Sequence, residues 1–307
     1  MNRLVQEISR FINYLQVEKN ASSHTIINYQ HDLQTFVNFL EREVITDIKE
    51  IDRALVRLFL TYLYEQQLSR RTVSRMISCL RSFFKFLERE GLTDHNPFLQ
   101  IGLPKSRRAI PNFLYEEELE QLFNISDLTD PLGQRNQAIL ETLYATGIRV
   151  SELQGLQLED IDFSIGSILV RGKGNKERYV VFGQFAKEAL LRYVNDGRKK
   201  LLAKNNTTSS AVFLNARGRP ITTRGIRLIL SKMVEQTSLT VHVHPHKLRH
   251  TFATHMLNEG ADLRTVQELL GHENLSSTQI YTHVTKSHLR NIYMKSHPRA
   301  KTDGNNN

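Results

Sequence analysis

Apolar residues in the first hundred positions recur with a period near 3.6. Leu4, Ile8, Phe11, Ile12 and Leu15 form one such stripe, the pattern of a helix with a single buried face. The run Asn20-Ala21-Ser22-Ser23 is a helix start signal. A second stripe follows it at Ile26, Tyr29, Leu33, Phe36, Val37 and Leu40. A third helix is predicted over roughly 52–66. A fourth runs from about Ser69 to Arg89 and stops at Gly91. Four amphipathic helices are enough to close a small bundle.

After Asn96-Pro97 the periodicity is lost. Gly102, Pro104 and Pro111 interrupt regular structure, and Lys105-Ser106-Arg107-Arg108 favours exposure. This stretch reads as a linker. Helical patterning resumes near Leu114, where Glu116, Glu117 and Glu118 place acids in a first turn. Another helix is predicted from about Pro131 to Thr146, ending at Gly147. The period then switches. Asp160–Phe163, Ser167–Arg171 and Arg178–Phe182 read as short strands, turning at Gly166 and across residues 172–176. Helices return from about Gln184. The expected architecture is mainly α. Residues 1–95 form a four-helix domain, 96–113 a linker, 114–299 a mostly helical domain with a small three-stranded antiparallel sheet, and 300–307 a disordered tail.

Charge sharpens this picture. The 307 residues carry a formal net charge of +9, which points to an anionic partner, nucleic acid foremost. The charge is uneven. Residues 1–105 hold 14 Lys and Arg against 12 Asp and Glu, and the rest hold 27 against 20. Cys79 is the only cysteine, so no intramolecular disulfide can form, and its helical apolar setting makes it a small core residue. No apolar run approaches bilayer length and no signal segment opens the chain. A soluble cytoplasmic protein without membrane insertion is expected.

The chemistry concentrates in the more basic part. Arg149 follows a helix break at Thr146-Gly147-Ile148. His246 and Arg249, three apart, share one helical face. Lys173 stands between Gly172 and Gly174 at the tip of the predicted hairpin, with Lys176 and Arg178 close by as rivals for the role of proton donor. His272 ends Leu270-Gly271-His272, and Tyr281 sits in Ile280-Tyr281-Thr282. A phosphodiester resists attack because its oxygens are already negative. Arginine forks can hold the charge that builds on them, a positioned lysine can protonate the departing oxygen, and a phenol can serve as nucleophile. Each residue alone is more simply a surface ion pair, a half-buried tyrosine or a solvated turn lysine. The histidines His242, His244, His246, His250 and His255 also suggest a metal. There is no His-Glu-x-x-His and no cysteine pair, so packing and orienting roles are expected for His250 and His255. No cofactor and no metal are called for. Arg70, Arg71 and Arg75 on the fourth helix could meet phosphates, as could Lys105, Arg107, Arg108, Lys176 and Arg178.

The ordered set Arg149, Lys173, His246, Arg249, His272 and Tyr281 resembles the catalytic pattern of the tyrosine recombinases, the phage integrase family. Pro245–His255 and Gly271–Tyr281 resemble its bacterial Xer branch, and the likeness covers about residues 3–299. It implies a two-domain clamp with a SAM-like N-terminal domain. It implies Tyr281 as nucleophile, forming a 3′-phosphotyrosyl link to DNA, and Lys173 as general acid. Arg149, Arg249, His246 and His272 would organise the phosphate. Implied partners are a double-stranded recombination site, a XerD-like recombinase in a heterotetramer and an FtsK-type translocase, acting on chromosome or plasmid dimers at cell division. The resemblance also implies exchange of a C-terminal helix between neighbours, for which residues 288–294 are suited. Three other readings share part of this pattern: a type IB topoisomerase, an integrase or transposon recombinase of the same chemistry, and a DNA-binding protein without catalysis.

Overall fold

The computed structural model describes residues 2–19, 21–102, 113–172, 176–205, 208–237, 239, 243–271 and 283–300. The chain divides into two compact units, Met1–Ala109 and Ile110–Asn307.

The first unit contains α1 (Asn2–Val17), α2 (Ser23–Arg42), α3 (Arg53–Glu65) and α4 (Arg70–Arg89). The starts of α2, α3 and α4 are set by side-chain caps. Ser22 accepts from the Thr25 amide, Asp52 from Leu55 at 2.8 Å, and Ser69 from Thr72 at 3.1 Å. Gly91 takes φ +69° just beyond α4, a conformation glycine adopts without strain. The apolar stripes meet in an aromatic core of Phe11, Phe36, Phe39, Phe59, Phe83 and Phe84. Cys79 is buried beside them, and burial raises its thiol pKa, so it is inert.

The expected linker begins differently. Phe98 is fully buried, with its ring 5.7 Å from that of Phe36. Arg81 donates to the carbonyls of Phe98 (2.9 Å) and Ile101, and Asn96 donates to Arg81 O at 3.0 Å. Burying one phenylalanine contributes roughly 1.5–3 kcal/mol, so residues 96–101 pack with the helices they follow.

The second unit is built around α6 (Pro131–Thr146). Asp130 caps it, Pro131 occupies its first position, and Gly147 closes it at φ +59°. Around it lie α5 (Glu116–Phe123), α7 (Val150–Gly155) and a helical run from Gln184 to Leu202, made of α8 (Gln184–Arg192), a π turn and α9 (Arg198–Leu202). Then come α10 (Thr223–Glu235), α11 (Pro245–Asn258), α12 (Leu263–Leu270) and α13 (His283–Ser296). The sheet is antiparallel in the order β1 (Ile161–Asp162), β2 (Ser167–Arg171), β3 (Glu177–Val181). Its register pairs Ile168 with Val180 and Val170 with Arg178. Mainly α architecture with one small three-stranded sheet is therefore observed.

The C-terminal segment packs on its own unit. Leu289, Tyr293, His297 and Ala300 are buried, although Ala300 was expected to open a disordered tail. The Tyr293 hydroxyl accepts from the Gly183 amide at 3.1 Å, and Gln184 N donates to Ala300 O. Arg299 pairs with buried Glu141 at 2.5 Å and lies 3.8 Å from the Phe185 ring centre and 4.0 Å from that of Phe123. Residues 301–307 lie outside the described residues.

His297 stacks on Tyr293, and burial pushes its pKa down to about 3. The unfolded chain binds a proton there near pH 6.5, whereas the folded chain stays neutral. Stability is thus lost as pH falls from about 6.5 toward 3, by about 1.4 kcal/mol per unit well below 6.5. Buried His255, also lowered by burial, adds in the same direction. His297→Phe keeps an aromatic ring in place. Between pH 6.0 and 4.5 it should lose about 2 kcal/mol less stability than the parent, read from urea midpoints. An unchanged pH slope would contradict this assignment.

Candidate active site

The site grows from the turn after α6. A β-carbon at Gly147 would lie 2.6 Å from Phe252 and 2.8 Å from Leu270. Only glycine lets this turn come so close to α11 and α12. Two residues later Arg149 caps α7. Its amide donates to Glu152 Oε2 at 2.7 Å, and its guanidinium reaches Glu152 Oε1 at 3.0 Å and Gly271 O at 3.3 Å.

Arg249 comes from α11, one turn after His246. It donates to Gly147 O at 2.6 Å and Leu270 O at 2.7 Å. Both partners are neutral carbonyls, so the fork is oriented while its charge remains uncompensated. Burial, with Arg149 and Arg178 nearby, pushes its pKa down to about 10, against the pull of Glu152. It is still a cation at neutral pH. His246 is exposed, and its ring lies 6.4 Å from that of His244. His244 caps α11 by accepting from the Lys247 amide at 3.1 Å.

Glu152 is the residue that sequence reasoning missed. Its carboxylate is held by Arg149 and by Arg178, whose two amino groups sit 2.9 and 3.0 Å from its two oxygens. Burial alone would raise its pKa. The hydrogen bonds and charge of Arg178, with Arg149 second, outweigh burial and hold it below the usual range. The available signal was its place three residues after Arg149 in a first helical turn.

Arg178, expected to contact DNA, is instead buried: it is only 7% exposed, and both of its amino groups are taken up by the two oxygens of Glu152. Arg75 pairs through one amino group with fully buried Asp32 at 2.5 Å, while its side chain stays 35% exposed. Arg70, Arg71 and Lys176 are exposed, as a DNA contact requires. Lys105, Arg107 and Arg108 lie outside the described residues, as do Lys173, His272, Tyr281 and His242. The structure therefore brings together Arg149, Arg249 and the α11 turn bearing His246. The residues just before Lys173 and His272, Gly172 and Gly271, lie at the same cluster. A β-carbon at Gly172 would be 3.5 Å from Glu152 Oε1, and one at Gly271 would be 2.9 Å from Arg178 Nε.

His250 is exposed, and His255 is buried with Nδ1 2.8 Å from the Tyr144 hydroxyl. Among the described residues no three His, Cys, Asp or Glu side chains are grouped to hold a metal ion, and no helix is long and apolar enough to cross a membrane. Three guanidinium groups around one carboxylate make a net-positive pocket. It is suited to a phosphate whose oxygens gain charge during displacement.

Residues 112–288 match the phage integrase family, and residues 8–91 match the phage integrase N-terminal SAM-like domain. The chain belongs to the phage integrase family, the tyrosine recombinases. Within it the chain is similar to tyrosine recombinase XerC of Oceanobacillus iheyensis, with 63% identity covering 98% of each chain. It is also similar to tyrosine recombinase XerC of Bacillus subtilis, 54% identical over 98% of this chain and 99% of that one. In fold it is similar to a XerH site-specific recombinase bound to its difH substrate, at TM-score 0.69 and 24% identity over 95% and 94% of the two chains. A lambda integrase dimer bound to a core site gives TM-score 0.68 at 18% identity over 90% and 98%.

Proposed function

We propose that this tyrosine recombinase cuts and rejoins duplex DNA at a specific site, with Tyr281 as nucleophile and Lys173 as general acid. What supports this reading most is the cluster of Arg149, Arg178 and Arg249 around Glu152. There Arg249 is oriented by two backbone carbonyls and Arg149 by Glu152 and Gly271 O, and three cations face a single carboxylate. The Tyr281 oxygen attacks phosphorus, and its proton passes to one of the imidazoles, His246 or His272. Arg149 and Arg249 hold the non-bridging oxygens of the five-coordinate state. The bond to the 5′-oxygen breaks as Lys173 supplies that oxygen with a proton. The product is a 3′-phosphotyrosyl ester and a free 5′-hydroxyl. A 5′-hydroxyl from a second strand reverses the step, so no nucleotide hydrolysis is required.

The wider role follows from likeness to the XerC proteins. In this reading the chain works in the cytoplasm with a XerD-like recombinase in a heterotetramer, under an FtsK-type translocase, to resolve chromosome or plasmid dimers at cell division. The test is covalent capture on a panel of nicked candidate sites of about 28 base pairs, with and without such a partner, followed by peptide mass spectrometry. The adduct is expected on Tyr281, while a supercoiled plasmid lacking the site stays supercoiled. Linkage at another residue, or relaxation of the site-free plasmid as by a topoisomerase, would overturn the proposal.

A further inference from the structure

We infer that Arg178 is a positioning residue for strand cleavage. Through Glu152 it fixes the stem of the hairpin whose next residue is Lys173. The inference rests on the reading of Lys173 as general acid given above.

Five observations converge on it. Arg178 lies in β3 opposite Val170, one strand pair from Arg171 and Glu177 at the end of the ladder. Gly172 N then donates to Lys176 O at 2.8 Å, closing the hairpin stem. The Arg178 fork meets both oxygens of Glu152, and the same Glu152 Oε1 holds Arg149 at 3.0 Å. Gly172 comes so near this carboxylate that a β-carbon there would be in van der Waals contact, 3.5 Å away. On its other side Arg178 Nε donates to Leu269 O at 3.3 Å, against the end of α12. One buried guanidinium therefore ties the hairpin to the carboxylate that orients a phosphate-binding arginine.

A purely structural role fits less well. A buried ion pair adds little net stability over apolar residues of equal volume, so stability alone gives no reason for a two-pronged geometry at this point. A two-pronged contact does fix orientation, and a proton donor must be placed to within a fraction of an ångström.

The test compares Arg178→Lys and Arg178→Met with the parent chain and with Lys173→Ala. The readout is the single-turnover rate constant for covalent-adduct formation on two nicked DNAs. One carries the ordinary 5′-oxygen at the scissile phosphate and the other a 5′-bridging sulfur. On the second, the phosphorus–sulfur bond breaks and a 5′-thiolate leaves without needing a proton. Rate constants do not depend on the fraction of folded protein, and thermal melts report folding separately. Arg178→Lys keeps the charge and loses the fork. It should be slowed at least about 30-fold on ordinary DNA and recover to within about threefold of the parent on sulfur DNA, as Lys173→Ala should. Arg178→Met should show the same pattern more strongly. Unimpaired cleavage of ordinary DNA by Arg178→Lys, or equal slowing on both DNAs, overturns the positioning role. If Lys173→Ala itself stays slow on sulfur DNA, the general-acid reading fails first and takes this inference with it.

Discussion

Tyr281→Phe will form no covalent adduct with nicked site DNA, while its affinity for the intact duplex stays within about twofold of the parent. The substitution removes one oxygen, and in the proposed mechanism that oxygen makes the new bond to phosphorus. Any other hydroxyl would have to reach the same in-line geometry that displacement needs. Duplex affinity is spread over many phosphate contacts, so one phenol contributes little to it. Denaturing gels will read the adduct and mobility shifts will read binding. Any residual adduct above the level of a catalytically dead control would place the nucleophile elsewhere.

Arg249→Ala is expected to slow adduct formation by about 10²–10³-fold, or roughly 3–4 kcal/mol, by analogy with the loss of an oxyanion donor. The fork is already aimed by Gly147 O and Leu270 O, so little reorganisation is needed as charge develops on the phosphate. Its pKa near 10 leaves it charged throughout the working range. Removing it leaves two carbonyls without donors, yet the site is partly open to water, so the thermal midpoint should move by no more than a few degrees. Comparing single-turnover rates with binding constants separates the two effects. A loss confined to binding would mean that Arg249 grips the ground state only.

Much of the fold could be read along the chain because its signals are local. Pro131 and Gly147 bound α6, Ser22, Asp52 and Ser69 start three helices, and Gly166 turns the sheet at φ +66°. The α11 face carrying His246 and Arg249 follows from spacing alone. Pairings between distant elements were not legible. Arg178 and Glu152 are 26 residues apart, and Arg75 and Asp32 are 43 apart. Periodicity says which face a residue occupies, not what meets it there. Phe98 was hidden by the proline before it, since a helix breaker marks the end of regular structure and not the end of a core. The tail was set to begin one residue early for a related reason, since spacing does not show that Ala300 is buried with its carbonyl accepting from the Gln184 amide.

The crowding of like charges at Glu152 has one more consequence. Because burial, and then the charges of Arg149 and Arg178, disfavour the charged form of Arg249, an anion placed beside it is favoured. In the proposed reaction the DNA backbone would supply that counter-ion. By the same logic, small oxyanions such as sulfate or inorganic phosphate will compete for this spot. A preparation kept in phosphate buffer will therefore be sturdier and slower than one kept in chloride.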